Sequence, residues 1–272
     1  MSKCTKKTAI AVGCHPDDIE FMMAGTLIKL KEAGYEIHYM NVANGSLGTC
    51  KHDYETIVKM RREEAMKAAA MIGAIYHESI CDDLEVFYNQ ELFGKLVPEI
   101  RDVKPSIVLT HGPYDYMEDH VNAGRLAVSA SFCRGMGNAK CSRFAEKFDD
   151  PITVYHSMPH SLSDGLRRPV IPGIFVDITP VIEIKKQMLA CHKSQQSWLD
   201  VSQGNNQYIQ DLVDRGEYFG KMSKQYTYAE GWIRHNHLGF CPADADPIME
   251  TLAPMNAAFI NEEFEKTTRL PE

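Results

Sequence analysis

Thr8–Glu20 reads T-A-I-A-V-G-C-H-P-D-D-I-E. An apolar, partly β-branched run ends at a histidine, and two adjacent aspartates follow before a helical pattern begins. Ala9–Val12 is short and free of polar residues, as a strand buried on both faces is. Pro16 disfavours helical backbone at His15, so the strand breaks there. Asp17 and Asp18 then fall at a helix start, where the helix dipole favours carboxylates. A histidine and two acids are thereby gathered at the carboxyl end of a parallel strand, where open α/β sheets place their ligand sites. The two acids repel each other unless a cation stands between them, so the stretch admits two readings, a metal site or a helix cap.

Outward from this stretch, Ile19–Ala33 carries an apolar face through Phe21, Met22, Leu27, Ile28 and Leu30 and closes at Gly34. Ile37–Ala43 follows as a second strand, and a strand–helix–strand run this short implies parallel pairing. Asn44–Thr49 is a turn-rich loop on the same edge as His15. Tyr54–Ile72 reads as a helix, with Arg61 to Glu64 as its charged turn, and Ala74–Tyr76 as a short strand. Phe87–Glu99 is helical, Ser106–Thr110 a strand and Val121–Cys133 a helix. Ile152–Tyr155 and Ile174–Val176 are further strands. A helix opens at Thr179 or Pro180 and runs to Ala190, and Gly204–Tyr218 is weakly helical. The loops Gly135–Asp150 and Pro159–Arg168 are expected to shape a pocket. After Phe240 the pattern weakens, with Pro242, Pro247 and Pro254. The expected architecture is α/β: a Rossmann-like, mainly parallel sheet with helices on both faces and the site at its carboxyl edge. One domain spans 1–240, and a C-terminal tail, 241–272, packs on it or on a neighbouring subunit.

Of the 272 residues, 44% are hydrophobic and 24% charged, the balance of a globular chain. No apolar run approaches the ~18 residues of a membrane span, and M-S-K-C-T-K-K does not lead into a signal peptide. A cytoplasmic protein is expected. The net charge of −8, with no block of Lys and Arg, argues against nucleic acid as a partner. Eight cysteines form no C-x-x-C pair, so they read as buried thiols, Cys14 included. The first turn also lacks the G-x-G-x-x-G needed to approach a dinucleotide.

A second polar cluster, His111 to His120, follows the strand Ser106–Thr110. Together the two clusters offer His15, Asp17, Asp18, His111, Asp115, Asp119 and His120. Two histidines and one carboxylate make a frequent catalytic zinc set, and a further carboxylate can serve as general base.

His15-Pro-Asp-Asp-Ile-Glu20 resembles the H-P-D-D-x-E signature of the PIG-L-type (LmbE-like) zinc-dependent N-deacetylases. Asn44-Gly45 with Gly48-Thr49 is similar to the family's N-G-x-x-G-T loop, Arg61-x-x-Glu64-Ala65 to its R-x-x-E-A helix, and Asp119-His120 to the close of H-x-D-H. Asp177, Lys185 or Lys186, His192-x-Ser194-Gln195 and Ala229-Glu230-Gly231-Trp232 resemble its C-terminal half. The resemblance implies that His15, Asp18 and His120 bind zinc, or another divalent metal such as Fe²⁺, and that Asp17 activates a zinc-bound water. The implied substrate is a small N-acetylated amino sugar or its conjugate, with a larger amide or a weakly catalytic sugar-binding role as alternatives. Arg61 and Asn44 would lie at the substrate, Asp119 would orient a histidine, and a homo-oligomer is implied. His192 is open between a site role and a polar partner at a helix end. The chain departs from the family at Met117, where a histidine is usual. Asp17 is expected to return the proton it takes, with His111 as a pocket residue.

Overall fold

The opening run is a central strand, β1 (Thr8–Gly13), buried along its whole length. The computed structural model describes residues 7–196 and 207–268, so Cys4 and the expected helix start at 204–206 lie outside the described residues. After β1 come α1 (Asp18–Met22), α2 (Ala24–Glu32), β2 (Glu36–Asn41), α3 (Tyr54–Met71), β3 (Ile75–His77), α4 (Gln90–Val103), β4 (Ile107–Thr110), α5 (Glu118–Phe132) and β5 (Thr153–Ser157). The second half holds β6 (Ile174–Asp177), α6 (Ile182–Leu189), α7 (Tyr208–Ser223), β7 (Ala229–Arg234), α8 (Pro247–Leu252), β8 (Ala258–Ile260) and α9 (Glu262–Thr268).

The eight strands form one sheet in the order β3-β2-β1-β4-β5-β7-β6-β8. The first five are parallel, and β7, β6 and β8 extend them as antiparallel neighbours. Alternate residues of β1 feed two cores. Ala9 and Ala11 join Leu27, Leu30, Tyr39 and Trp232 on one face, while Ile10 and Val12 join Leu96, Ile100 and Leu126 on the other. The strand order reverses at β1 and β4, which pair with Val12 opposite Thr110. Chain leaving both strands therefore opens into one crevice at the carboxyl edge.

The single helix expected over Ile19–Ala33 is two helices broken at Met23, whose φ is −135°. A buried carboxylate causes the break. Glu230 accepts from Gly25 N at 2.8 Å and Thr26 N at 2.7 Å, capping α2 with an anion where the dipole favours one. Lys185 Nζ meets the same carboxylate at 2.6 Å and donates to Phe21 O, so Lys185 rather than Lys186 is the motif lysine. Trp232 Nε1 donates to Thr26 Oγ1, tying β7 to the same turn. Both ions of the pair are buried. Glu230→Gln strands the ammonium and weakens the cap, and is expected to cost about 3–5 kcal/mol, read as a lower urea midpoint with an unchanged slope.

Other differences have local causes. Helix α4 starts at Gln90 rather than Phe87 because the Asn89 side chain accepts from Leu92 N. Helix α5 starts at Glu118 rather than Val121, which puts His120 in its first turn. A 3₁₀ turn, Thr179–Val181, precedes α6. Strand β7 carries charge and glycine instead of apolar alternation, and β8 has three residues, so neither stands out along the chain. Part of the tail belongs to the sheet, since β8 is its edge strand. Residues 135–150 do not shape the crevice. Helix α5 leaves the carboxyl edge and runs back along β4, so the loop that follows lies at the opposite edge. Arg101 and Arg134 pin it there through backbone carbonyls that include Met136 O and Asp150 O.

Candidate metal centre

Asp18 opens α1 and aims its carboxylate across the crevice. Its Oδ2 lies 3.5 Å from His15 Nδ1 and 3.4 Å from His120 Nε2. Each spacing to Asp18 is long for a hydrogen bond and near the ~3.3 Å that separates donors on a tetrahedral zinc. Among the described residues, the sets whose ligand atoms all lie within 4.8 Å are Cys14–His15–Asp18 and Asp18–His111–His120, so His15 and His120 would draw together on a shared ion. Each imidazole is turned by a carboxylate behind it. His15 Nε2 lies 3.1 Å from Asp119 Oδ2, and His120 Nδ1 lies 3.2 Å from Asp115 Oδ2. A proton on each of those outer nitrogens leaves the inner lone pairs facing Asp18, an arrangement that a cation relieves. Asp119 Oδ2 is itself fixed by Leu84 N at 2.7 Å. The His15 and His120 ring centroids are 5.4 Å apart.

Two neighbours could compete as ligands. His111 Nε2 is 3.3 Å from Asp18 Oδ2, but it accepts from Cys14 N at 2.9 Å, so its lone pair is spent. His111 is fully buried and stacks on His120 with centroids 4.4 Å apart. It backs the cluster and does not line the pocket as expected. Cys14 adjoins His15, but burial pushes its thiol up to about 12, so it stays protonated and a poor ligand.

Asp17 takes a different environment from its neighbour because its backbone is left-handed, with φ 114°. Such strain in a non-glycine residue concentrates at functional sites. Its Oδ2 accepts from Tyr208 Oη at 2.6 Å, and Oδ1 lies 3.5 Å from Arg61 Nη2. Burial pushes the Asp17 carboxyl up, and Arg61 opposes the shift. Burial acts on Asp18 in the same sense, but His120 and His111 outweigh it and hold that carboxyl well below the usual range.

Arg61 was expected at the substrate, and the structure buries it instead. It donates to Pro16 O and Gln195 Oε1, and lies under the Gly45 and Gly48 turn so closely that a Cβ at either glycine would collide with it. One helical turn on, Glu64 accepts from Ser194 N at 2.9 Å and from Ser194 Oγ at 2.5 Å. The R-x-x-E helix thus clamps the H-x-S-Q segment, with Arg61 orienting Asp17. Asn44 serves its own loop, donating to Asp82 and accepting from Ser46 N. His192 is fully buried, with Nε2 3.4 Å from Glu20 Oε2, and Glu20 also accepts from Tyr39 Oη. Arg62 and Glu63 of the same charged turn are surface residues. Asp115 was counted among the available groups but given no role, and Tyr208 was not singled out along the chain. Asp115 stood within the second polar cluster, whereas Tyr208 comes from a weakly patterned region and only the fold brings it to Asp17.

The family model described as PIG-L, GlcNAc-PI de-N-acetylase, matches residues 10–131. The chain is 30% identical over 245 residues to diacetylchitobiose deacetylase of Thermococcus kodakarensis, covering 87% of this chain and 86% of that protein. It is also 30% identical over 201 residues to 4-oxalmesaconate hydratase of Pseudomonas putida, covering 70% and 75%. The solved N,N′-diacetylchitobiose deacetylase of Pyrococcus horikoshii shares the fold, with a TM-score of 0.72 at 21% identity over 90% of this chain and 89% of that one. The ordered motifs converge at one sheet edge, and the identity runs across most of both chains: the protein belongs to the PIG-L family.

Proposed function

We propose that the protein is a metal-dependent amide hydrolase that releases acetate from an N-acetylated amino sugar or its conjugate. The observation that carries this reading is the division of labour between adjacent aspartates: Asp18 faces the imidazoles of His15, His111 and His120, while Asp17 borders the same cluster with Tyr208 and Arg61 as close partners. His15, Asp18 and His120 would hold the ion, and their N and O donors suit zinc or another first-row divalent ion such as Fe²⁺. Such an ion, when bound, makes a water more acidic and polarises an acyl oxygen.

The chain's own residues do the rest. Asp17 accepts the proton of the attacking water as the water oxygen bonds to the acyl carbon. Asp17 returns that proton to the nitrogen as the C–N bond breaks, so acetate and a free amine leave. Tyr208 Oη fixes the carboxylate through both transfers, and Arg61 favours its charged state before and after. Asp115 and Asp119 keep the two histidines in one orientation.

The hydratase relative marks a second reading. Hydration of an acid anion calls for cations at the substrate. Arg61 is committed to Pro16 O and Gln195, and Arg215 to backbone carbonyls, which favours a neutral substrate. Zinc-loaded protein is expected to release acetate from N-acetylglucosamine or N,N′-diacetylchitobiose, to lose that activity on chelation and to regain it with zinc. Hydration of 4-oxalmesaconate without acetate release from either sugar contradicts the proposal.

A further inference from the structure

Amide hydrolysis puts negative charge on the acyl oxygen, and a donor aimed at that oxygen is often a major source of rate. Most groups around Asp17 and Asp18 are otherwise engaged. Met117, at the head of α5, has no side-chain donor. His111 is sealed behind Asp18. Tyr208 gives its hydroxyl to Asp17, and Arg61 serves Pro16 and Gln195.

His160 differs from all of these. Strand β5 lies beside β4, with His156 opposite Thr110, so the chain after Ser157 leaves the sheet next to His111. The approach is tight: a Cβ at Gly112 would lie 3.2 Å from Ser157 O. The His160 ring packs edge-on against Phe21 of α1, centroids 5.0 Å apart, and Phe21 in turn packs against Tyr208 at 5.3 Å. The charges of Asp18, His120 and Asp115 all act on this ring, together with Arg215. His160 opens to solvent at one side while protein crowds most of its ring, and among the described residues no partner hydrogen-bonds its ring nitrogens.

Its backbone is held with unusual investment. Buried Arg215 donates through Nη2 to Met158 O at 2.6 Å, and through Nη1 to Pro159 O at 2.8 Å and His160 O at 3.1 Å. One guanidinium thus binds three successive carbonyls, which fixes the path that presents His160. Preorganisation of this kind is what an oxyanion donor requires.

We infer that His160 is a further catalytic residue whose ring N–H donates to the acyl oxygen as charge develops there. The inference rests on the amide-hydrolase reading. Burial, aided by Arg215, lowers the His160 pKa to about 4, so the ring is a neutral donor and the transferred proton stays with Asp17.

The test compares wild type with His160→Ala, His160→Asn and His160→Gln, all zinc-loaded, on N,N′-diacetylchitobiose. His160→Ala is expected to lower kcat about 10²–10³-fold with KM and metal content near wild type. Asn or Gln puts an amide N–H near one ring nitrogen or the other, and one of them recovers at least about tenfold of that loss. A tetrahedral phosphoramidate analogue of the amino sugar binds the alanine variant more weakly by the factor lost in kcat/KM, while glucosamine binds both proteins equally. Equal losses in all three variants or a loss confined to KM overturns the inference. Wild-type turnover with an unimpaired His160→Ala overturns it alone; absence of wild-type turnover overturns the amide-hydrolase reading with it.

Discussion

Asp17→Asn is expected to lower kcat for acetate release by about 10²–10⁴-fold, the range for loss of a positioned general base. The asparagine side chain keeps the size of the carboxylate and can still accept from Tyr208, so the left-handed turn at 17 persists. Metal content stays at the wild-type level, because Asp17 lies outside the Asp18–His15–His120 spacing. Stability changes little or improves, since the substitution removes a buried charge whose pKa burial already raises. A variant with this fall in kcat and full metal content assigns the proton transfers to Asp17. A variant that keeps most of the activity removes Asp17 from the mechanism and moves the base elsewhere in the crevice.

His120→Ala should be more severe. It takes away one of three donors and leaves Asp18 facing a cavity, so the purified variant is expected to hold no stoichiometric zinc and to match chelated wild type in activity. The carboxylates behind the histidines give a graded control. Asp115→Asn and Asp119→Asn keep every donor but release the rings, and each is expected to cost about 10–100-fold in metal affinity or activity. Thermal shift adds a reading independent of turnover: zinc raises the melting temperature of wild type, less so that of the asparagine variants, and does not raise that of His120→Ala.

The histidine–aspartate cluster was legible along the chain because its parts sit where strand, proline and helix start coincide. β-branched residues ending at His15-Pro16 fix a strand end, and paired aspartates fix a helix start. Pairing of β1 with β4 brings the second cluster alongside. Groups that act across long separations were harder to assign. The family resemblance put Arg61 at the substrate, and a charged helical turn says nothing of burial. Its commitment to Pro16 and Gln195 depends on α3 packing beneath the Gly45–Gly48 turn. Tyr208 reaches Asp17 across 191 positions with no local pattern to mark it. The Glu230 carboxylate splits a helix that its own sequence reads as continuous, a tertiary contact overriding local propensity. His111 carries the same residue type as a ligand, yet one backbone N–H from Cys14 removes its lone pair from service.

The central claim is that His15, Asp18 and His120 share one ion while Asp17 stands beside it. Diffraction recorded on both sides of the zinc absorption edge, from crystals loaded with one equivalent of zinc, tests it most directly. The account predicts a single anomalous peak about 2.0–2.2 Å from His15 Nδ1, Asp18 Oδ2 and His120 Nε2, with Asp17 outside bonding range. A peak bonded to His111 Nε2 or Cys14 Sγ in place of His15, or no peak between the two imidazoles, contradicts it.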